Sequence, residues 1–378
     1  MISKIIFTII TLISISSFAQ DKLPLIKASS DKIDIRNGDE FSQGNWTLAP
    51  DYHPDVYTSN KVGQQITFYT DLDSISCILD EEIPFDFVIL YNGKDSCFTQ
   101  VKYDPQLSYL EILKEAGEFN YQEQNDYPKF TYQDSSNTHL VALRKGFNLD
   151  SIAGTANELN QQLNLLHWIH ELIPHDGGIS NPEVKNAMSL IETCRQGKRG
   201  LNCRGLATVL NECYLSMGWK SRFMTCMPKD SIFNDCHVIN MVFSTDLDKW
   251  IWVDPTHDSY VMDEKGILLN FDVVREKLIN DKPLIMNPNA NWNNQYTTSK
   301  SSHLYNYMAK NLYRFECPIH SEYNYETKVE GRTVQYMELL PIDGYQQEPK
   351  INEFTSEKTG VTYQNYKTNN PRVFFAKP

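Results

Sequence analysis

Three residues of this chain carry chemistry in an order that invites a mechanism. Cys203 lies in "RGLNCRGLATVLNECYLSMGWKSR", behind a small polar loop and at the start of an apolar helix. A thiolate at a helix N-terminus is stabilised by the helix dipole and by unpaired backbone N–H groups, which also can hold an oxyanion. Position alone leaves a structural thiol, half of a disulfide and a metal ligand open. His237 and Asp254 then follow in "DCHVINMVFSTDLDKWIWVDPT". Both flanking runs read as strands, joined by the polar turn Ser244 to Lys249. The turn centre sits near residue 246.5 and the mean position of His237 and Asp254 is 245.5, so a hairpin sets them nearly opposite each other. Opposed Cβ atoms lie roughly 4.5–5.5 Å apart, close enough for a carboxylate to orient an imidazole. The pair could be a buried structural couple that only satisfies itself. With Cys203 as third member it becomes nucleophile, base and orienter.

The other titratable residues read more simply. Counted with Cys203, Cys194, Cys213, Cys226 and Cys236 leave gaps of eight to twelve residues and no C-x-x-C pair, which argues against a zinc site. Cys226 and Cys236 flank one loop and are a candidate disulfide. Cys213 faces the apolar side of its helix, and Cys236 is expected to point away from His237. His167, His170 and His175 lack a metal-ligand pattern and read as surface or packing residues. His257 and Asp258 are fallback acid/base candidates if the hairpin register differs. Trp250 and Trp252, like Phe85 and Phe87, read as core. No cofactor is called for and no metal.

The elements around these residues follow from periodicity. Leu159, Leu163, Leu166, Ile169 and Ile173 form one helical stripe, ended by Pro174 and Gly177-Gly178. A second helix is expected from Pro182 to Cys194. A third runs from Cys203 with Leu206, Leu210, Cys213 and Met217 on one face, and Gly218 stops it. Three strand-like runs follow: "WKSRFMTCM", "CHVINMVFS" and "KWIWVDPT". Helices followed by strands give an α+β core over about residues 150–300.

Upstream, residues 20–145 read as a β-rich module. "FDFVILYNGKDSCFTQV" is a hairpin whose Asn92-Gly93 turn would set Val88 opposite Cys97, and Cys77 and Cys97 could bridge neighbouring strands. Residues 301–378 are polar and Tyr-rich with strand-like pieces that either extend the central sheet or form a separate β module. The first 19 residues combine Lys4, an apolar run from Ile5 to Ile15 and Ser17-Phe18-Ala19, which predicts a signal peptide cut after Ala19. The expected address is secreted or periplasmic, with no membrane span after cleavage. A net charge of −13 argues against a nucleic-acid partner. Eight cysteines, all beyond residue 20, do not by their even number prove a full disulfide set.

The stretches "GLNCRGLATVLNECYLSMGWKSR", "CHVINMVF" and "WIWVDPT" resemble the transglutaminase-like core, a relative of the papain-type cysteine peptidases. The upstream "NQQLNLLHWIHELIPHD" is similar to the helix that precedes that core. The resemblance covers roughly residues 155–290. It implies helices packed on an antiparallel sheet, flanked here by β-rich modules. It implies that Cys203 attacks a carboxamide or peptide carbonyl, His237 moves the proton and Asp254 holds the imidazole. The acyl-thioester would pass to water or to an amine, so a hydrolase, a protein-glutamine acyltransferase and an N-glycan amidase all fit. The substrate would be a protein, peptide or glycoprotein. The Cys203 backbone N–H would serve the oxyanion, with Gln196 and Trp168 as candidates for the second donor. A non-catalytic glycan- or protein-binding module is the contrasting class.

Overall fold

The computed structural model describes residues 23–51, 53–105, 107–229, 235–343 and 351–378. The predicted signal peptide lies outside the described residues. The chain divides into two compact units, Met1–Gln106 and Leu107–Pro378. Residues 107–145, grouped above with the β module, belong to the second unit and carry the helices Tyr109–Lys114 and Thr138–Gly146.

The first unit consists of two four-stranded sheets. Their inward residues, among them Ile33, Ile35, Ile66, Phe68, Phe87 and Ile89, make one core. Cys77 and Cys97 stand on strands of different sheets and do not bridge. The hairpin turn holds one residue more than expected. Asn92 and Gly93 both take left-handed φ, yet Tyr91 pairs with Asp95, so Cys97 faces Ile89 instead of Val88.

Among the described residues, the three longest helices of the second unit precede the central strands. They are α1 (Glu158–Leu172), α2 (Ala187–Gly197) and α3 (Cys203–Ser216). Each starts on an asparagine whose side chain accepts a backbone N–H of the first turn: Asn157 from Asn160, Asn186 from Ser189 and Asn202 from Gly205. The cap at Asn186 is why α2 begins later than Pro182. Gly218 takes φ +90° beyond the end of α3. Residues Gly205 to Ser216 of α3 are all buried, so this helix is enclosed rather than amphipathic.

The strands that matter are β1 (Ser221–Met227), β2 (His237–Ser244), β3 (Lys249–Asp254), β4 (Ser259–Met262), β5 (Ile285–Met286), β6 (Arg314–Pro318), β7 (Thr333–Leu339), β8 (Ile351–Thr355) and β9 (Thr362–Thr368). They form one nine-stranded sheet in the order β5-β4-β3-β2-β1-β6-β7-β9-β8. The C-terminal strands therefore extend the central sheet. The sheet is antiparallel except for the parallel pair β7·β9. Alternate residues of β2 and β3 feed two cores. Ile239, Met241, Trp250 and Trp252 enter one with Phe271 and Leu304, while Val242, Ile251 and Val253 enter the other with α1, α2 and α3. Burial on both faces explains why these strands read as nearly continuous apolar runs. The structure is α+β, and among the described residues no helix is long and apolar enough to cross a membrane.

Candidate active site

Cys203 is the first residue of α3, with Asn202 as its cap. Asn202 is itself held: Asn181 Nδ2 donates to its Oδ1 at 2.6 Å, and its own Nδ2 donates to the Ile179 carbonyl at 3.3 Å. Gly205 packs so closely on Asn181 that an added Cβ would lie 2.6 Å from its Oδ1. The first turn of the helix is thus pinned before any substrate arrives.

His237 opens β2 and Asp254 closes β3. The ladder pairs Asn240 with Val253 and Ser244 with Lys249, the register that the turn centre predicts. Carried outward, it sets Asp254 opposite Ile239, so His237 is a diagonal neighbour rather than a directly facing one. The side chains still meet, with His237 Nε2 2.9 Å from Asp254 Oδ2 and both residues buried. The other carboxylate oxygen accepts the Thr256 N–H at 2.8 Å. The carboxylate fixes Nε2 as the protonated nitrogen and leaves Nδ1 for the thiol.

The electrostatics make an ion pair. Burial opposes the Cys203 thiolate, but hydrogen bonds from His175 and His237, the His237 charge and the Val238 N–H bring its pKa down to about 5. Burial likewise opposes the His237 cation, and the charge and hydrogen bond of Asp254 overcome it, raising the imidazole to about 10. Burial raises the Asp254 carboxyl, yet His237 holds it well below the usual carboxylate range. At neutral pH the site holds thiolate, imidazolium and carboxylate in sequence.

Cys203 and His237 line a cleft of about 1010 Å³, with Asp254 buried behind the imidazole. Its lining includes Cys203, His237, His175, Trp292, Tyr296 and Tyr307. A turn of π-helix, His303–Met308, delivers His303 and Tyr307 to it. His303 Nε2 stands 3.5 Å from Asp254 Oδ2, and its ring centroid is 4.4 Å from that of His257. Burial holds His257 down to about 4 and His303 to about 3, so both are neutral imidazoles beside the ion pair. Ligand atoms of His237, Asp254 and His257 lie within 4.8 Å of one another and are the one such group among the described residues. A metal held there would take the very atoms that bond His237 to Asp254, so it would compete with thiol chemistry, and we assign it no role.

Several expectations are corrected. Trp168 packs on Phe147 in the helical core and Gln196 is tied to Glu192 at the surface, so neither reaches the cleft. Gly200 accommodates the backbone of Pro174. Cys236 lines the cleft instead of pointing away, because it precedes β2 and escapes strand alternation. Cys226 and Cys236 are both free thiols, as are all eight cysteines. Asp258 pairs with His167 at 2.8 Å and takes no part in the cleft, whereas His257 borders it with Nδ1 2.9 Å from Thr298 Oγ1. His170 is buried and braces the strand end, its Nδ1 donating to the Pro255 carbonyl at 3.1 Å. His175, expected as a surface or packing residue, lines the cleft with the thiol. Its only sequence signal is the Pro174 and Gly177-Gly178 setting of a tight loop.

No family model and no curated protein matches the chain. Among solved structures, that of a "putative cysteine protease" from Cytophaga hutchinsonii is similar over part of the chain. Identity is 15%, the match covers 34% of this chain and 39% of that one, and the TM-score is 0.24. A likeness of that size carries no argument about fold or activity.

Proposed function

We propose that the chain is an exported thiol enzyme of the transglutaminase-like type that acts on peptide or carboxamide bonds, with hydrolysis as its reaction. The observation that carries this reading is the Cys203 thiol at a helix N-terminus beside an imidazole backed by the buried Asp254, 2.9 Å away. The Cys203 sulfur adds to the carbonyl carbon, and the carbonyl electrons move to oxygen. When the adduct collapses, the C–N bond breaks and His237 gives its proton to the leaving nitrogen. Water, deprotonated by the now neutral His237, then attacks the thioester and releases the acid. Asp254 keeps the imidazole in one tautomer throughout. The cleft lies at the upper end of the roughly 300–1,000 Å³ range of ligand pockets, which leaves room for part of a protein, peptide or glycoprotein substrate. Export rests on the signal sequence read in residues 1–19.

The test incubates wild-type protein and Cys203→Ala with denatured casein plus dansylcadaverine, and separately with ribonuclease B. New casein termini that need Cys203 support hydrolysis. Dansyl label on glutamine moves the reading to acyl transfer, and released glycan moves it to an N-glycan amidase. Identical behaviour of the two proteins in every assay rejects catalysis in favour of a binding module.

A further inference from the structure

His175 lies in the loop after α1 and is clamped from two sides. The loop is stitched to the residues just ahead of Cys203: the Leu201 N–H donates to the Pro174 carbonyl at 3.1 Å, and the Asp176 N–H to the Leu201 carbonyl at 2.8 Å. From the other side Asn293 accepts the His175 N–H at 2.7 Å and donates to its carbonyl at 2.9 Å. The imidazole therefore has a fixed origin beside the nucleophile.

Its ring is fixed too. Trp292 Nε1 lies 3.0 Å from His175 Nδ1. An indole N–H only donates, so Nδ1 must accept, and the neutral ring carries its hydrogen on Nε2. The His175 side chain lines the cleft together with Cys203 and is among the groups that lower its thiol, and Nε2 is the nitrogen left to face it. Two imidazoles thus reach one sulfur, with opposite backing. His237 has a carboxylate behind it, which favours the cation. His175 has an N–H donor behind it, and protonating Nδ1 would set N–H against N–H. One ring has a carboxylate behind its Nε2, and the other has an indole N–H behind its Nδ1.

We propose that His175 is the side-chain donor of the oxyanion hole, acting with the backbone N–H of Cys203 and held in its donating tautomer by Trp292. This rests on the thiol reading above. When sulfur bonds to a carbonyl carbon, the oxygen that takes up the carbonyl electrons is only two bonds from sulfur. His175 Nε2–H, which shares the cleft with the sulfur, donates to that oxygen without giving up its proton. On collapse the C=O bond re-forms and the hydrogen bond returns. The site would thereby stabilise charge with donors that need no reorganisation.

Two reagents separate this role from simple activation of the thiol. p-Nitrophenyl acetate acylates Cys203 through a tetrahedral oxyanion. Iodoacetamide alkylates it by displacement at a saturated carbon, with no oxyanion. Both rates are measured on the folded full chain across pH and compared at their high-pH plateaus. His175→Ala is expected to lose on the order of 10²-fold more in acylation than in alkylation. Trp292→Phe, which keeps the imidazole but releases its tautomer, should lose acylation selectively as well, and circular dichroism verifies that each variant is folded. Parallel loss of both rates in both variants overturns the oxyanion role. A wild-type Cys203 that reacts with neither reagent overturns the thiol reading itself, and this inference with it.

Discussion

Gly200 lies against Pro174 so tightly that a Cβ at residue 200 would stand 2.4 Å from the Pro174 carbonyl oxygen. The contact joins the loop that carries His175 to the segment that carries Cys203. It couples two side chains of the cleft through backbone alone. Gly200→Ala must push those segments apart, and overpacking of this kind costs about 1–3 kcal/mol. We expect a stability loss of that size in urea titrations and a slower alkylation of Cys203. A variant with unchanged stability and unchanged thiol reactivity would show that the two loops are not coupled there.

The ion pair sets a pH profile. Below its pKa of about 5 the Cys203 sulfur is protonated, so alkylation by iodoacetamide should rise with pH through that region. His237 keeps its proton until about 10, so amide turnover should hold a plateau between the two and fall above the second. Removing the imidazole in His237→Ala takes away a hydrogen bond and a positive charge, and the alkylation inflection should climb toward the roughly 8.5 of a free thiol. An inflection near 8.5 in the wild type already would refute the pairing.

Asp254 acts on the other limb. Asp254→Asn removes the charge that raises His237, while a neutral amide oxygen can still accept from Nε2. The basic limb of turnover should then move from near 10 toward neutral pH, and a basic limb that stays put in this variant would mean that Asp254 does not govern the imidazole.

Glu212 makes a separate, structural prediction. Its Oε2 accepts the Ala187 N–H at 2.7 Å and its Oε1 the Asn324 N–H at 2.8 Å, tying the start of α2 to a distant loop through α3. Burial outweighs these bonds and raises the carboxyl from 4.5 to about 8. A folded value above the unfolded one means stability present below pH 4.5 that drains away as pH rises through about 8. Glu212→Gln abolishes that titration, but its NH₂ must face one of the two N–H donors. Denaturation at pH 5 should show a loss of about 1–3 kcal/mol, and the decline from pH 5 to 8 should flatten. Wild-type behaviour at both pH values would contradict this account.

Much of the core was legible because its signals are local. Apolar spacing in 159–173 predicts α1, and the polar turn at 245–248 fixes the β2·β3 register. Cys203, His237 and Asp254 could be picked out because helix start, strand start and strand end are positions that a chain writes into neighbouring residues. The asparagine at 186 carried a cap signal as well, and reading Pro182 as the start of α2 overlooked it. The module boundary was less legible. Residues 107–145 read with the β-rich module, yet Leu113 and Leu143 are buried in cores of the second unit.

The sequence by itself determined the helix that begins at Cys203, the hairpin that brings an imidazole near a carboxylate, and the α+β character of the centre. Tertiary structure alone decided the rest of the cleft. Cys203 and His175 are joined through Gly200 and Pro174, and the His175 tautomer depends on Trp292, more than a hundred residues along the chain. His303 reaches Asp254 from a π-helical turn that no periodicity announces. The physical reason is that caps, stripes and turns act over a few residues, whereas which lone pair a ring offers, and which face of a cysteine it meets, is set by partners that only packing brings into range.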